Sequence, residues 1–383
     1  MSISRRRFFQ QGAAGALAGV AAPLHSAERL FTGRPSSLPE VQTAGQIRLD
    51  HNENVYGPSK RAVQVMQESI ALTNRYPDSE YNNLLETIAA LHKVKPEQII
   101  PGCGSSEILR MVAATFLGSH KKLILASPTF DLLADEARKL NAETLVVPLT
   151  KAYAHDLNTM LARAGDSSGL IYICNPNNPT GTLTPRQDLD SFLQKLPQSL
   201  HVVIDEAYHQ YVPASPNHVS FLDRPVDDNR VIVTRTLSAI YGLAGLRIGY
   251  AVTSARTARK LSAARLPSSV NVIAARVAVA ALQDSEFVNS CAQQTADDRQ
   301  EFLNMANARM LRVIDSSANF VMLKMDLNAQ DVIDHFRKNN ILLGPPVPSM
   351  PAYIRLSLGT LAEMKEFWRV LDLLPPHEHK MQM

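Results

Sequence analysis

The sequence predicts an α/β protein: a mostly parallel β-sheet covered by helices, followed by a smaller α+β portion. Three observations carry that expectation. Short apolar runs recur through the middle of the chain, at 123–125, 145–147, 170–173, 202–204 and 231–233, and continuous runs of this kind mark strands buried on both faces. Amphipathic stretches such as 130–140 and 186–196 separate several of them, and strand–helix alternation is the signature of a parallel sheet. From about Asn271 the pattern turns helix-rich, then returns to short strands at 320–323 and 353–358 and a last helix near 361–374. The 383 residues suffice for two domains, at about 150 residues each.

The elements follow in order. Ser4-Arg5-Arg6-Arg7-Phe8-Phe9-Gln10 is a basic head, Gly12 to Ala22 is a short weakly apolar run, and small residues recur near Ala22 and Ala27. Those are the three regions of an export signal, and paired arginines followed by Phe make it a twin-arginine address. The mature protein is therefore expected in the periplasm, having folded before export. A polar stretch runs to Gln46, and helical periodicity appears near 59–72 and 82–92. The alternating strands and helices come next. The expected domains are the signal over 1–27, an arm and part of a small domain over 28–66, a large domain over 67–266 and a small domain over 267–383.

Composition narrows the function. Hydrophobic residues make up 45% and charged residues 20%, the balance of a globular protein. A net charge of +3 without a basic stripe argues against nucleic acid as a partner, and no apolar run is long enough to cross a bilayer. Cys103, Cys174 and Cys291 are too few and too scattered for a disulfide framework or a zinc site. His201 and His209 have no ligand spacing. His377 and His379 follow two prolines at the chain end and read as a disordered terminus. No metal is expected.

Four segments carry chemistry, and ligands of α/β sheets sit at the carboxyl ends of strands. Pro101-Gly102-Cys103-Gly104-Ser105-Ser106-Glu107 precedes a helix, where glycines let backbone amides approach an anion; a capped helix start explains it equally well. Cys174-Asn175-Pro176-Asn177-Asn178-Pro179-Thr180-Gly181 is a rigid turn that can fix an asparagine donor. Asp205-Glu206-Ala207-Tyr208 puts a carboxylate at a buried strand end, where it stays charged if it meets a cation. Thr234 to Tyr250 combines hydroxyls, spaced glycines and Arg247, a set able to surround a phosphate.

In this order the segments make the chain resemble the class I/II aminotransferases of fold type I, closest to the histidinol-phosphate aminotransferases. The resemblance runs from Leu49-Asp50-His51-Asn52-Glu53-Asn54 to Arg355-Leu356-Ser357-Leu358-Gly359. It implies pyridoxal 5′-phosphate (PLP) as cofactor, amino acids and 2-oxo acids as substrates, and a homodimer with shared sites. By that resemblance Ser105, Ser106, Thr236, Ser238 and Arg247 bind the phosphate. Asn178 and Tyr208 bond the ring O3′, Asp205 pairs with the ring nitrogen, and Phe130 stacks on the ring. Tyr76 reaches the neighbouring subunit's cofactor. Arg355 grips the substrate α-carboxylate as a two-pronged clamp, and Asn54 and Asn319 line the same region.

Two departures stand out. Where the family has the lysine that forms the internal Schiff base and moves the Cα proton, this chain has Ala239. Either a substitution made to trap a bound adduct or a PLP-binding protein without turnover accounts for it; the intact remaining cofactor set favours the first. Second, Gly344-Pro345-Pro346-Val347-Pro348 stands where the histidinol-phosphate enzymes often place an arginine, which puts histidinol phosphate in doubt. The expected function is transamination, silenced here by Ala239. The alternatives are a C–S β-lyase or a silent holder of PLP or its amino-acid adduct.

Overall fold

A computed structural model describes residues 45–165, 169–213, 215, 218–223 and 226–374. The expected export signal over 1–27, residues 28–44 of the expected arm and the two terminal histidines lie outside the described residues.

Strands β2 (Ile99–Gly102), β3 (Lys122–Ser127), β4 (Glu143–Pro148), β5 (Gly169–Cys174), β6 (Leu200–Asp205), β7 (Val231–Thr236) and β8 (Gly249–Thr253) form one seven-stranded sheet in the order β2-β8-β7-β6-β5-β3-β4. Only β8 runs against its neighbours. Successive side chains of a strand point to opposite faces, and here both faces are dry. Ile171, Ile173, Val202, Ile204 and Val233 enter one core with Leu189, Phe192 and the helix Val272–Leu282. Leu170, Tyr172, Val203 and Ile232 enter another with Ile108, Val112 and Phe116 of the helix Ser105–Phe116. Continuous apolarity on a strand is what two covered faces require.

The run 145–147 behaves differently. Its strand, β4, is the edge of the sheet, and Val146 is 45% exposed rather than buried. An apolar run reports strand character; it does not report whether a further strand will flank it. Strands β2 and β8 were not expected. Ile99-Ile100-Pro101-Gly102 and Gly249-Tyr250-Ala251-Val252-Thr253 look like loop chemistry because each carries glycine at the end nearest the site.

Two smaller sheets complete the described chain. β9 (Val313–Ile314), β10 (Phe320–Lys324) and β12 (Tyr353–Ser357) are antiparallel, whereas β1 (Ile47–Leu49) pairs in parallel with β11 (Ile341–Leu343). Leu49, Val321, Ile341, Leu356, Phe367 and Trp368 share one core, so the start of the described chain is packed with its last third. No helix among the described residues is long and apolar enough to cross a membrane.

Candidate active site

Parallel strands end together, so motifs far apart in the chain arrive at one edge of the sheet. Cys174 lies opposite Asp205, and Asp205 opposite Thr234. Gly249 faces both Thr236 and Gly102, which brings the ends of β7 and β2 together.

Asp205 is 3% exposed. Tyr172 donates to its Oδ2 at 2.8 Å; Oδ1 has no well-aligned donor, although the Thr234 hydroxyl and the Ala207 amide approach the carboxylate. Burial pushes the carboxyl above its usual range, and the Tyr172 bond opposes that shift. A buried carboxylate whose second oxygen is only loosely satisfied costs free energy unless something completes it. A cationic ring nitrogen would.

The second cluster is an anion cup. Ser105 and Ser106 open their helix, where first-turn amides have no helical acceptor, and neither hydroxyl makes a hydrogen bond among the described residues. Gly104 precedes them at φ +74°, and a Cβ there would run into the Arg247 guanidinium. Arg247 Nη1 donates to Ser238 Oγ at 3.3 Å and to the Ala244 carbonyl at 3.0 Å. Ser238 N in turn donates to Thr236 Oγ1 at 3.1 Å. Amides, hydroxyls and a cation thus converge, the donor set for a phosphate.

The third group joins cofactor and substrate positions. In the 174–181 loop, Asn175 is tied to Thr184 through both N and O of its amide. Asn177 is tied to Thr129, Pro128 and Thr180. Asn178 is left to face the cleft. Its Oδ1 accepts from Arg355 Nη1 at 2.9 Å, and its Nδ2 donates to Tyr208 Oη at 3.4 Å. Tyr208 also accepts from Asn52 Nδ2 at 3.1 Å and meets Phe320 edge-on at 4.9 Å. Burial lifts the Tyr208 phenol to about 12, against the pull of Asn52 and of the Arg355 charge. Arg355 places Nη2 on the Asp50 carbonyl at 2.8 Å.

Asn52 also belongs to the site, although no motif marks it as a contact of Tyr208. Its positive φ of 56° and its bond to Ser357 fix it against Tyr208; asparagine tolerates that backbone region, which was the available signal. Asn54 and Asn319 stand one layer back. Asn54 donates to the Ile240 carbonyl at 2.7 Å and to Cys291 Sγ, and Asn319 donates to the carbonyls of Asn52 and Glu53. Both brace the loops of the site. Phe130, Asn178 and Arg355 line one cleft of about 750 Å³. Tyr76 is 81% exposed on the loop before the helix Asp78–His92 and touches none of the others. Ala239 is 4% exposed, its carbonyl accepting from Gly242 N at 2.9 Å. His209 and His218 bond one another at 2.8 Å and line a separate hollow of about 800 Å³ that includes none of the cofactor candidates. Among the described residues no three His, Cys, Asp or Glu side chains converge as a metal site.

The residues fit PLP: the cup suits its phosphate, the open Asp205 oxygen its ring nitrogen, and Asn178 with Tyr208 its phenolic oxygen. Known proteins point the same way. The sequence profile of the family "Aminotransferase class I and II" matches residues 44–371. The histidinol-phosphate aminotransferase of Moorella thermoacetica is 34% identical over 335 residues, covering 87% of this chain and 86% of that protein. The one from Methylobacillus flagellatus is 38% identical over 329 residues, covering 85% and 88%. The solved histidinol-phosphate aminotransferase of Sinorhizobium meliloti, in complex with pyridoxal-5′-phosphate, superposes with a TM-score of 0.79 at 26% identity, over 86% of this chain and 90% of that one. Motif order, strand-end geometry and these matches agree: the chain belongs to the class I and II aminotransferases, PLP-dependent transferases of fold type I.

Proposed function

We propose that the site is built to exchange an amino group between an L-amino acid and a 2-oxo acid, and that Ala239 leaves this chain able to bind PLP but not to turn over. The observation that carries the reading is the chain of bonds Arg355–Asn178–Tyr208–Asn52. It couples the carboxylate clamp to the cofactor cradle, so substrate and ring are oriented by one network. When bound, PLP supplies an electron sink for the pair left at the substrate Cα. Asp205 holds the ring nitrogen cationic, the cup around Ser105, Ser106, Thr236, Ser238 and Arg247 anchors the phosphate, and Phe130 covers the ring face. Arg355 orients the α-carboxylate with its planar fork. A methyl group at 239 can neither hold nor move a proton.

The test takes the chain as it is and its Ala239→Lys version. The purified chain should bind PLP saturably and lose it on dialysis. The lysine version should convert at least one amino acid with a 2-oxo acid. No saturable PLP binding, or no product from any pair, overturns the reading. A holder without turnover is the second reading, and Ala239 itself favours it. It would stand if the lysine version bound PLP and stayed inert.

The cup makes its own prediction. Gly104→Ala forces a Cβ into the Arg247 guanidinium at a backbone conformation, φ +74° and ψ 162°, used essentially by glycine alone and costing the folded chain about 1–3 kcal/mol. The displaced guanidinium should lower PLP affinity roughly tenfold in an absorbance titration, and the strain in the folded chain should lower the melting temperature by a few degrees.

We further propose that Tyr76 is exposed because a second copy covers it and that the site is completed in a homodimer. Sedimentation should give a dimer, and Tyr76→Ala should weaken PLP binding severalfold; a monomer with full PLP affinity would reject this. The head Arg5-Arg6-Arg7-Phe8 supports export to the periplasm by the twin-arginine route. The relatives' names point to histidinol phosphate as substrate, but the loop 344–348 offers no arginine for its phosphate.

A further inference from the structure

We infer that the side-chain end of this cleft is built for a long, uncharged apolar substituent on the amino-acid substrate, an inference that rests on the transaminase reading above. One stretch of the lining is the segment after β11. Pro345, Pro346 and Pro348 line the cleft there and bring no backbone N–H. Pro128 and Pro179 line it from the large sheet and have none either. An anionic group entering between the prolines would shed water and meet no backbone donor from them; the uncharged polar side chains nearby are Ser127, Thr129, Gln330 and Ser349.

The charged groups of the lining sit at its end and rim. Arg355, the α-carboxylate clamp, is held at one end by Asn178 and the Asp50 carbonyl. His51 lies 2.6 Å from Asp50, and Arg337 pairs with Asp334 at 2.9 Å from a largely exposed position on the rim. Asp50 and Asp131 add negative charge to the same lining. A phosphate or carboxylate on the side chain is disfavoured on both counts.

What the cleft offers is apolar surface. Phe130, Val146, Leu343 and Val347 face it, and it runs on past Val146, over the sheet edge, into an adjoining hollow of about 400 Å³. The two share Ser127, Pro128, Val146 and Ser349, and the second adds Leu149, Tyr153 and Met350. The exposed valine on edge strand β4 thereby gains a role: a side chain lying along β4 would cover it. Apolar area removed from water is favourable in proportion to its extent, so a longer chain binds tighter until the hollow ends.

The experiment avoids turnover. Phosphopyridoxyl conjugates, in which the amino nitrogen is joined to the cofactor carbon by a stable single bond, are titrated by calorimetry into the chain as it is. The set is L-alanine, L-2-aminooctanoate, O-phospho-L-serine and L-histidinol phosphate. The aminooctanoate conjugate should bind at least tenfold tighter than the alanine conjugate, and the two phosphorylated side chains no tighter than alanine. Val146→Asp should cut the aminooctanoate advantage at least fivefold while PLP affinity stays as before. If a phosphorylated side chain binds tightest, or chain length makes no difference while PLP and the alanine conjugate bind, this inference falls and the transaminase reading stands. If neither PLP nor any conjugate binds, both fall.

Discussion

Ala239→Lys should raise transamination by at least about 10²–10⁴-fold, the usual effect of a positioned general acid–base group. The surrounding backbone is arranged without the lysine. Leu237 N donates to the Ile248 carbonyl at 3.1 Å, Leu243 N to the Leu237 carbonyl at 3.1 Å, and Gly242 N to the Ala239 carbonyl at 2.9 Å. Asn54 holds the next carbonyl, that of Ile240. The turn therefore presents whatever side chain stands at 239 from one fixed place. A lysine there enters a site that is 4% exposed, and burial lowers an ammonium pKa. A partly neutral amine near neutral pH is what proton transfer needs, so the restored activity should rise with pH as the amine deprotonates. The check is product formation against pH for both proteins, with retention of PLP through dialysis as a second readout. A lysine version that retains PLP but gains no activity over the whole pH range would remove turnover as the site's purpose.

The sequence carried the sheet well because its central strands are buried on both faces, and nothing but a continuous apolar run satisfies that. It carried β2 and β8 badly, since Gly102 and Gly249 serve a close approach to the helix at Ser105 and dilute the strand signal. The cofactor candidates were legible only through their order along the chain. Composition alone left the 101–107 segment equally a capped helix and the 174–181 segment a turn. Physical division of labour explains the second case: Asn175 and Asn177 do hold a turn, and only Asn178 faces the cleft. Asn52, Asn54 and Asn319 show the limit. Their roles depend on contacts with Tyr208, Ile240 and the 52–53 carbonyls, across separations no local pattern encodes.

Asp205→Asn should move stability and cofactor affinity in opposite directions. Burial raises the Asp205 carboxyl above its ordinary range. For an acid shifted that way the folded state disfavours the charge. The penalty is absent below the unfolded pKa, about 3.9, and is fully present once the pH exceeds the folded value. Stability of the ligand-free protein from this group therefore falls as pH rises through that window. Asparagine removes the penalty and keeps an oxygen for the Tyr172 phenol. Its ligand-free melting temperature should exceed that of the parent at neutral pH, and the difference should vanish below about pH 4. The same change deletes the anion that would meet the ring nitrogen. A hydrogen bond to a charged group is worth about 1.5–3 kcal/mol, so PLP affinity should drop roughly 10- to 150-fold. In the Ala239→Lys background the rate should fall further, by about 10²–10³, because the charge is needed most where electrons move onto the ring. A purely structural Asp205 would give the reverse pattern, a lower melting temperature with PLP affinity intact. The buried, loosely satisfied carboxylate is then stability given up in the empty site for charge complementarity in the filled one, a trade that strained or unsatisfied groups at functional sites commonly represent.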